Sequence, residues 1–387
     1  MSKLLLHSNA PWAPTGYGAQ TKLFAPRLAE HYDLAISSFY GLEGDRLNWE
    51  GIQVFPGLGN EFGNNHLIRN AISHFGAPRD GLVLTLLDVW VLSPEVSAQL
   101  DMACWVPVDH APAPPMVRDF FGRSGAIPIA MSRFGQEQLA DFDPLYVPHG
   151  FDPEIYRPHD QREVREQLGA DRDAFLVGMV AANKGAPSRK CFQQALQAFA
   201  AFRETHDDAI LYLHTDIHGD ENLLAIKEAL GIPDAAVRVA DQYRISLHPL
   251  PSAIMARLYS TFDVLLNPSA GEGFGVPVLE AQACGVPAIV SNFSAMKEVC
   301  GVGWKVACTR RWTSQLSWQV DPDVEEIVAA LESAYGLSED ERRKVSELAV
   351  AHAAPYRVDT VMREHFLPAL DEVAERLNAR KPIELVA

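Results

Sequence analysis

The stretch Asn267–Gly285, NPSAGEGFGVPVLEAQACG, decides how this chain is read. It continues DVLLN (263–267), a short apolar run that reads as a buried strand, and Gly271, Gly273 and Gly275 then let the backbone turn sharply. Pro277 suits the first position of a helix and Gly285 suits its C-terminal cap. Unpaired amides point out of a helix N-terminus, so a diphosphate set against Gly273, Phe274, Gly275 and Val276 would meet backbone donors and the positive end of the helix dipole. Glu272 lies in the loop and Glu280 about one turn into the helix. Each carboxylate can accept hydrogen bonds from a pair of neighbouring hydroxyls. A plainer account also fits: strand, glycine turn and helix merely continue an α/β sheet, with both glutamates solvated.

The longer string EGFGVPVLEAQACGVPAIVS, with its E-x7-E spacing and a following strand expected over Val286–Ser291, resembles the donor-site signature of the retaining glycosyltransferases of family 4. That resemblance implies the GT-B fold, two doubly wound Rossmann-like domains facing each other across a cleft. It assigns Glu272 to the transferred sugar and Glu280 to the ribose of a nucleoside diphosphate sugar.

Composition agrees with a soluble enzyme of that size. The chain has 387 residues, 48% of them hydrophobic and 21% charged, enough for two ordinary domains. A formal charge of −17, from 33 basic and 50 acidic residues, argues against broad binding to nucleic acid or anionic membrane. The cysteines, Cys104, Cys191, Cys284, Cys300 and Cys308, are scattered and without a CxxC pair, which suits a reducing cytoplasm and indicates neither a disulfide framework nor a zinc site. No segment approaches about 18 uninterrupted apolar residues, so any membrane contact is expected to be peripheral.

Short apolar runs alternate with amphipathic patterns from end to end, the rhythm of parallel β/α units. Strands are expected over Leu4–His7, Leu34–Ser38, Leu82–Leu86, Cys104–Val108 and Ile127–Met131, with a helix over Thr21–His31. A second series starts at Phe175 and continues with a helix over Phe192–Phe202, a strand over Ile210–His214 and helices over Asn222–Leu230 and Ser252–Tyr259. Between them Val147–Pro158, VPHGFDPEIYRP, has three prolines and reads as a linker. The expected division is 1–150 as the acceptor-side domain and 151–357 as the donor domain. A crossover helix and tail occupy 358–387. The helix Pro322–Tyr335 carries a one-faced stripe (Val324, Ile327, Val328, Leu331, Tyr335), and Val358, Met362, Phe366, Ala369, Val373 and Leu377 form another. In GT-B relatives the last helix crosses back to the first domain. Residues after about Asn378 read as a loose tail.

Three further loops carry chemistry. Ser8–Ala19, SNAPWAPTGYGA, follows the first strand but lacks the G-x-G-x-x-G spacing of a dinucleotide site; by resemblance, Gly16 faces the donor phosphate. Gly178–Cys191, GMVAANKGAPSRKC, gathers Lys184, Arg189 and Lys190 after a strand, where cations can neutralise charge on a departing diphosphate; the alternative is a solvated basic turn. Family members usually carry an arginine shortly after this strand and a lysine later. Lys190 matches the lysine, while Ala182, Asn183 and Lys184 stand where the arginine is expected, leaving Lys184 and Arg189 as substitutes. Trp105–Met116, WVPVDHAPAPPM, holds Asp109 and His110 in a proline-stiffened loop. A lone histidine is commonly structural; the resemblance puts His110 near the anomeric carbon, with His149 as a second candidate.

The loop Phe55–His66, with its glycines and asparagines, fits either an acceptor border or an ordinary surface turn. Three D-x-D triplets, Asp141–Asp143, Asp171–Asp173 and Asp321–Asp323, fall at expected turns or helix starts and read as capping rather than metal-binding. No metal or other cofactor is expected. The sequence thus implies transfer of a sugar from a nucleoside diphosphate donor to an unidentified acceptor. Three rivals are a nucleotide-sugar epimerase, a phosphorylase with a pyridoxal lysine, and a catalytically silent GT-B protein that only binds nucleotide sugar or a partner. Glycosylation of modified nucleic-acid bases is a further possibility that the charge disfavours.

Overall fold

The computed structural model describes residues 2–59, 62–171, 174–247 and 250–380. The chain divides into two compact units: Met1–Gly150 with Gln315–Ser317 and Val358–Ala387, and Phe151–Ser314 with Trp318–Arg357.

The first unit is built on β1 (Lys3–Asn9), β2 (Asp33–Tyr40), β3 (Leu47–Trp49), β4 (Ile52–Phe55), β5 (Leu82–Leu86), β6 (Met102–Val106), β7 (Ile127–Ala130) and β8 (Leu145–Tyr146). They form one sheet in the order β3-β4-β2-β1-β5-β6-β7-β8. All pairings are parallel except β3 with β4. A parallel sheet is covered on both faces, which is why β6, MACWV, is buried at every position and appears in the sequence as an unbroken apolar run. The C-terminal stripe completes this core. Phe366 packs its ring against Phe24 at 5.1 Å and Trp105 at 5.0 Å, and Arg27 pairs with Asp359 at 2.6 Å. The last helix, Leu367–Ala379, follows a π-helical stretch at Met362–Phe366. The expected tail from 381 onward lies outside the described residues.

One helix begins earlier than its pattern suggests. Instead of starting at Thr21, it runs Gly16–Ala29, because the Thr15 hydroxyl accepts a hydrogen bond from Gly18 N at 3.0 Å and caps it. The glycine loop is therefore the first helical turn. A Cβ on Gly18 would stand 2.4 Å from Ala13 O, whereas one on Gly16 would meet nothing within 4 Å.

The second unit contains β9 (Phe175–Val180), β10 (Ala209–His214), β11 (Val237–Val239), β12 (Val264–Asn267), β13 (Ala288–Ser291) and β14 (Gly303–Val306). These are parallel throughout, in the order β11-β10-β9-β12-β13-β14. This is the doubly wound order whose direction of winding reverses between the first and fourth strands, here β9 and β12. Helices Phe192–Arg203 and Val324–Tyr335 cover one face, burying Phe192, Phe199, Phe202, Ile327 and Leu331. The linker Val147–Pro158 forms no helix or strand beyond an isolated bridge from Phe151 to Arg357.

Several elements have no counterpart in the sequence reading, among them two that follow β14. An antiparallel hairpin of β15 (Cys308–Trp312) and β16 (Trp318–Pro322) follows the sheet. A helix, Glu339–Ala353, is opened by a capping box in which the Ser338 hydroxyl accepts from Glu341 N and the Glu341 carboxylate accepts from Ser338 N.

Candidate functional site

Ligands of doubly wound sheets bind beyond the carboxyl ends of the strands where the winding reverses. In the second unit the loops leaving β9 and β12 occupy that point, and they carry the residues singled out above. After β12 the chain passes through Gly271 to Gly275, where φ is +100°, a left-handed conformation that glycine tolerates and a side chain resists. Gly275 caps helix Val276–Ala283, so Val276 takes the first position and Pro277 the second, one residue later than expected. Val278 N and Leu279 N already donate to Gly275 O, and the amides of Gly273 to Val276 precede those bonds. The Phe274 ring is buried against Tyr356 at 5.8 Å. Beyond the Cys284 cap, Gly285 sits at φ +82°.

The basic turn after β9 is fixed from beneath. The Asn183 amide donates to Asp216 O and Glu221 O, and Ser188 N donates to the Glu221 carboxylate. Cys191, at φ +55°, then turns the chain into helix Phe192–Arg203. This anchoring aims Arg189 and Lys190 at the β12 loop. Arg189 donates to Glu272 Oε2 at 2.9 Å and to Gly271 O, while Lys190 Nζ meets Glu272 Oε1 at 2.5 Å. Lys184 is exposed on the turn itself. Of the two possible substitutes for the missing arginine, Arg189 is the one brought to Glu272.

Glu272 is therefore clasped by two cations rather than solvated. Its own amide donates to the Ser294 hydroxyl at 2.9 Å. Burial alone would raise its pKa, but the charges and hydrogen bonds of Arg189 and Lys190 outweigh that and hold it at about 2.

Glu280 is shifted the other way. Burial is its largest influence and pushes the carboxyl up to about 7, only partly offset by the polar influence of the neighbouring Tyr156 and Tyr259 side chains. Tyr156 lies in the segment that opens the second unit and Tyr259 ends helix Ser252–Tyr259; both rings are buried. Neither tyrosine, nor Ser294, stands out in the sequence, because each reaches its partner through packing between distant segments.

In the first unit, His110 is buried at 2% exposure in the loop after β6, with Nδ1 2.6 Å from the Asp109 carboxylate. His149 packs on Trp105 at 4.6 Å between ring centres, and burial lowers its pKa to about 3, so it is a neutral core ring. Gly16 opens the first helix with free space beside it. Of the loop 55–66, Asn60 and Glu61 lie outside the described residues. Its second half is pinned to the sheet: His7 Nε2 lies 3.0 Å from Phe62 O, and Asn64 bonds Val91 O and Ser93 N.

Two aspartate triplets have structural partners. Asp141 and Asp143 pair with Arg118 and Arg376, Asp321 pairs with Arg311, and Asp323 caps helix Val324–Tyr335. In the third, Arg172 and Asp173 lie outside the described residues. Among the described residues no group of three or more His, Cys, Asp or Glu is arranged to hold a metal ion, and no helix is long and apolar enough to cross a membrane.

Comparison with known proteins points to the same part of the chain. Residues 174–335 match the family described as glycosyl transferases group 1. The D-inositol 3-phosphate glycosyltransferase of Segniliparus rotundus is 26% identical over 181 residues, 44% of this chain and 38% of that protein. Its namesake from Geodermatophilus obscurus is 31% identical over 161 residues, 40% of this chain and 34% of that protein. The match thus spans little more than a third of these relatives' own lengths. Sucrose-phosphate synthase of Thermosynechococcus elongatus superposes over 98% of this chain and 100% of its own with a TM-score of 0.74 at 15% identity. Anabaena HepE in complex with UDP-glucose covers the same shares with a TM-score of 0.69 at 15% identity. At such identities the likeness establishes architecture. Residues 174–335 thus match the glycosyl transferases group 1 family, in a chain that has the GT-B fold.

Proposed function

We propose that this chain is a retaining glycosyltransferase of family 4 type, moving a sugar from a nucleoside diphosphate sugar to an acceptor without a metal or other cofactor. One observation carries the proposal: Arg189 and Lys190 from the β9 loop and Glu272 from the β12 loop converge at the winding switch, beside the N-terminus of helix Val276–Ala283. Cations and helix-end amides at one point suit a diphosphate, whose growing charge as the sugar departs they would stabilise.

The donor's ribose is assigned to Glu280 and its sugar to the neighbourhood of Glu272. His110, oriented by Asp109, is assigned to the anomeric carbon on the family resemblance. Donor phosphate contact at Gly16 is proposed on the same ground. A uridine nucleotide is favoured because a structural neighbour holds UDP-glucose. An epimerase is not favoured, because the proteins compared above include glycosyltransferases and a sucrose-phosphate synthase.

The test is a thermal-shift screen of nucleoside diphosphate sugars, since a ligand that binds only the folded state raises its stability by mass action. Hits are then incubated with candidate acceptors and the new anomeric centre is read by NMR. A stabilising donor and a product of unchanged anomeric configuration are expected. Inverted configuration refutes retention, and absence of stabilisation by every donor refutes the assignment.

A further inference from the structure

We infer that Asn183 and Glu221 are positioning residues for the donor's diphosphate: they latch the loop after β10 to the loop after β9 and so set where Arg189 and Lys190 stand. This rests on the donor-site assignment above and deepens it.

Asn183 stands in the stretch where the family resemblance expects an arginine, yet it is buried at 5% exposure and each polar atom of its side chain is in use. Its amide donates to Asp216 O at 2.8 Å and to Glu221 O at 2.7 Å, and its Oδ1 accepts from Glu221 N at 3.2 Å. One side chain thus pairs with both backbone groups of Glu221, as a neighbouring strand would. Asp220 adds two bonds: its carboxylate accepts from Gly185 N at 2.6 Å, and its own amide donates to Asn183 O at 3.3 Å. The two loops lie so close that a Cβ on Gly219 would stand 2.4 Å from Asn183 O.

Glu221 carries the latch on to the cations. The residue is buried at 6% exposure, and its Oε1 accepts from Ser188 N and from Gln193 Nε2, each at 3.1 Å. The Ser188 hydroxyl accepts from Lys190 N at 3.2 Å, and Arg189 O accepts from Ala270 N at 2.8 Å in the loop after β12. The backbone that bears the two cations is therefore tied to the loops on both sides of it, which leaves side-chain torsions to bring guanidinium and ammonium to a diphosphate. Charged groups held in place before the ligand arrives bind it at lower entropic cost and stabilise its departure without rearranging. Glu221 Oε2 has no hydrogen-bond partner among the described residues, so the latch uses the acceptor at Oε1 rather than a paired charge. An amide in place of the carboxylate keeps that acceptor.

The experiment measures UDP affinity by calorimetry, together with Tm, for the wild type, Glu221→Ala, Glu221→Gln and Gly219→Ala, and repeats both alanine variants in a Lys190→Ala background. Each alanine variant should weaken UDP roughly tenfold, since small displacements of binding groups are costly. Glu221→Gln should stay within about threefold of the wild type, because it retains the acceptor for Ser188 N. In the Lys190→Ala background the alanine penalties should shrink to roughly threefold or less, because one of the groups they position is gone. Gly219 lies outside the turn that bears the cations, so its variant carries the test if Glu221→Ala does not fold. Wild-type affinity in the alanine variants, full additivity with Lys190→Ala, or equal losses in Glu221→Ala and Glu221→Gln overturns the proposal. If the wild type binds no UDP, the donor-site assignment fails instead. Crystal structures of the ligand-free alanine variants then decide the latch: residues 188–190 in their wild-type conformation refute it.

Discussion

Lys190 Nζ lies 2.5 Å from Glu272 Oε1, with Arg189 on the other carboxylate oxygen. The cations assigned to the diphosphate are therefore engaged by an internal anion in the unliganded protein, and the three groups together carry a single positive charge. An incoming diphosphate has to share or displace Glu272.

Glu272→Gln removes the internal competitor. UDP should bind the variant more tightly, by roughly fivefold, since a unit charge a few ångströms away is worth about a kcal/mol or more near a protein surface. Turnover should fall, because the carboxylate assigned to the transferred sugar is gone. Calorimetry with UDP checks the first effect; weaker binding would show that the diphosphate does not meet Arg189 and Lys190.

Lys190→Ala should lower kcat roughly 100-fold, the scale of losing one charge-stabilising group from a transition state. Glu272 keeps Arg189, so the variant should still fold, with its Tm lowered by only a few degrees. Paired measurements of kcat and Tm check this. Wild-type turnover would remove Lys190 from the leaving group's surroundings.

The two glutamates should leave opposite signatures in stability against pH. Glu272, depressed to about 2, contributes stability that is present above its unfolded value near 4.3 and is lost as pH falls toward 2. Glu280, raised to about 7, contributes stability that is present below about 4.3 and is lost as pH rises through 7. Glu280→Gln should therefore gain on the wild type by about 2 kcal/mol between pH 5 and pH 8. Urea titrations at both pH values test this, and parallel stabilities would contradict the shift. The donor site would then be held at a cost to the folded state.

Gly16 and Gly18 separate ligand approach from packing. Gly18→Ala drives a methyl into Ala13 O and should destabilise by about 1 to 3 kcal/mol. Gly16→Ala meets open space and should leave Tm almost unchanged while weakening donor use. Equal activity in Gly16→Ala and wild type would withdraw Gly16 from the phosphate.

The parts legible in the sequence are those written in local chemistry. Apolar runs marked the parallel strands, Gly275 and Gly285 marked positions of left-handed backbone, and the C-terminal stripe marked a core helix. Its partners Phe24 and Trp105 were not visible, since ring packing joins distant segments. The hairpin Cys308–Pro322 escaped because Arg310 and Arg311 interrupt its apolar content and no Asn-Gly or Asp-Gly turn joins its strands. Helix Glu339–Ala353 was signalled by Ser338 and Glu341, but its weakly apolar face hid it. In the candidate site, Glu272, Glu280, Arg189 and Lys190 were singled out by the glycine loop, the basic turn and the family resemblance together. That Arg189 rather than Lys184 reaches Glu272 depends on how Asn183 and Glu221 fold the turn, and the tyrosine pair around Glu280 depends on tertiary packing.

The most direct measurement is a crystal structure of the protein with UDP-glucose. The diphosphate should lie within hydrogen-bond distance of Arg189, Lys190 and the amides of Gly273 to Val276, with the ribose hydroxyls on Glu280. A nucleotide sugar bound away from the β9 and β12 loops, with Glu272 still held by both cations, would contradict the account.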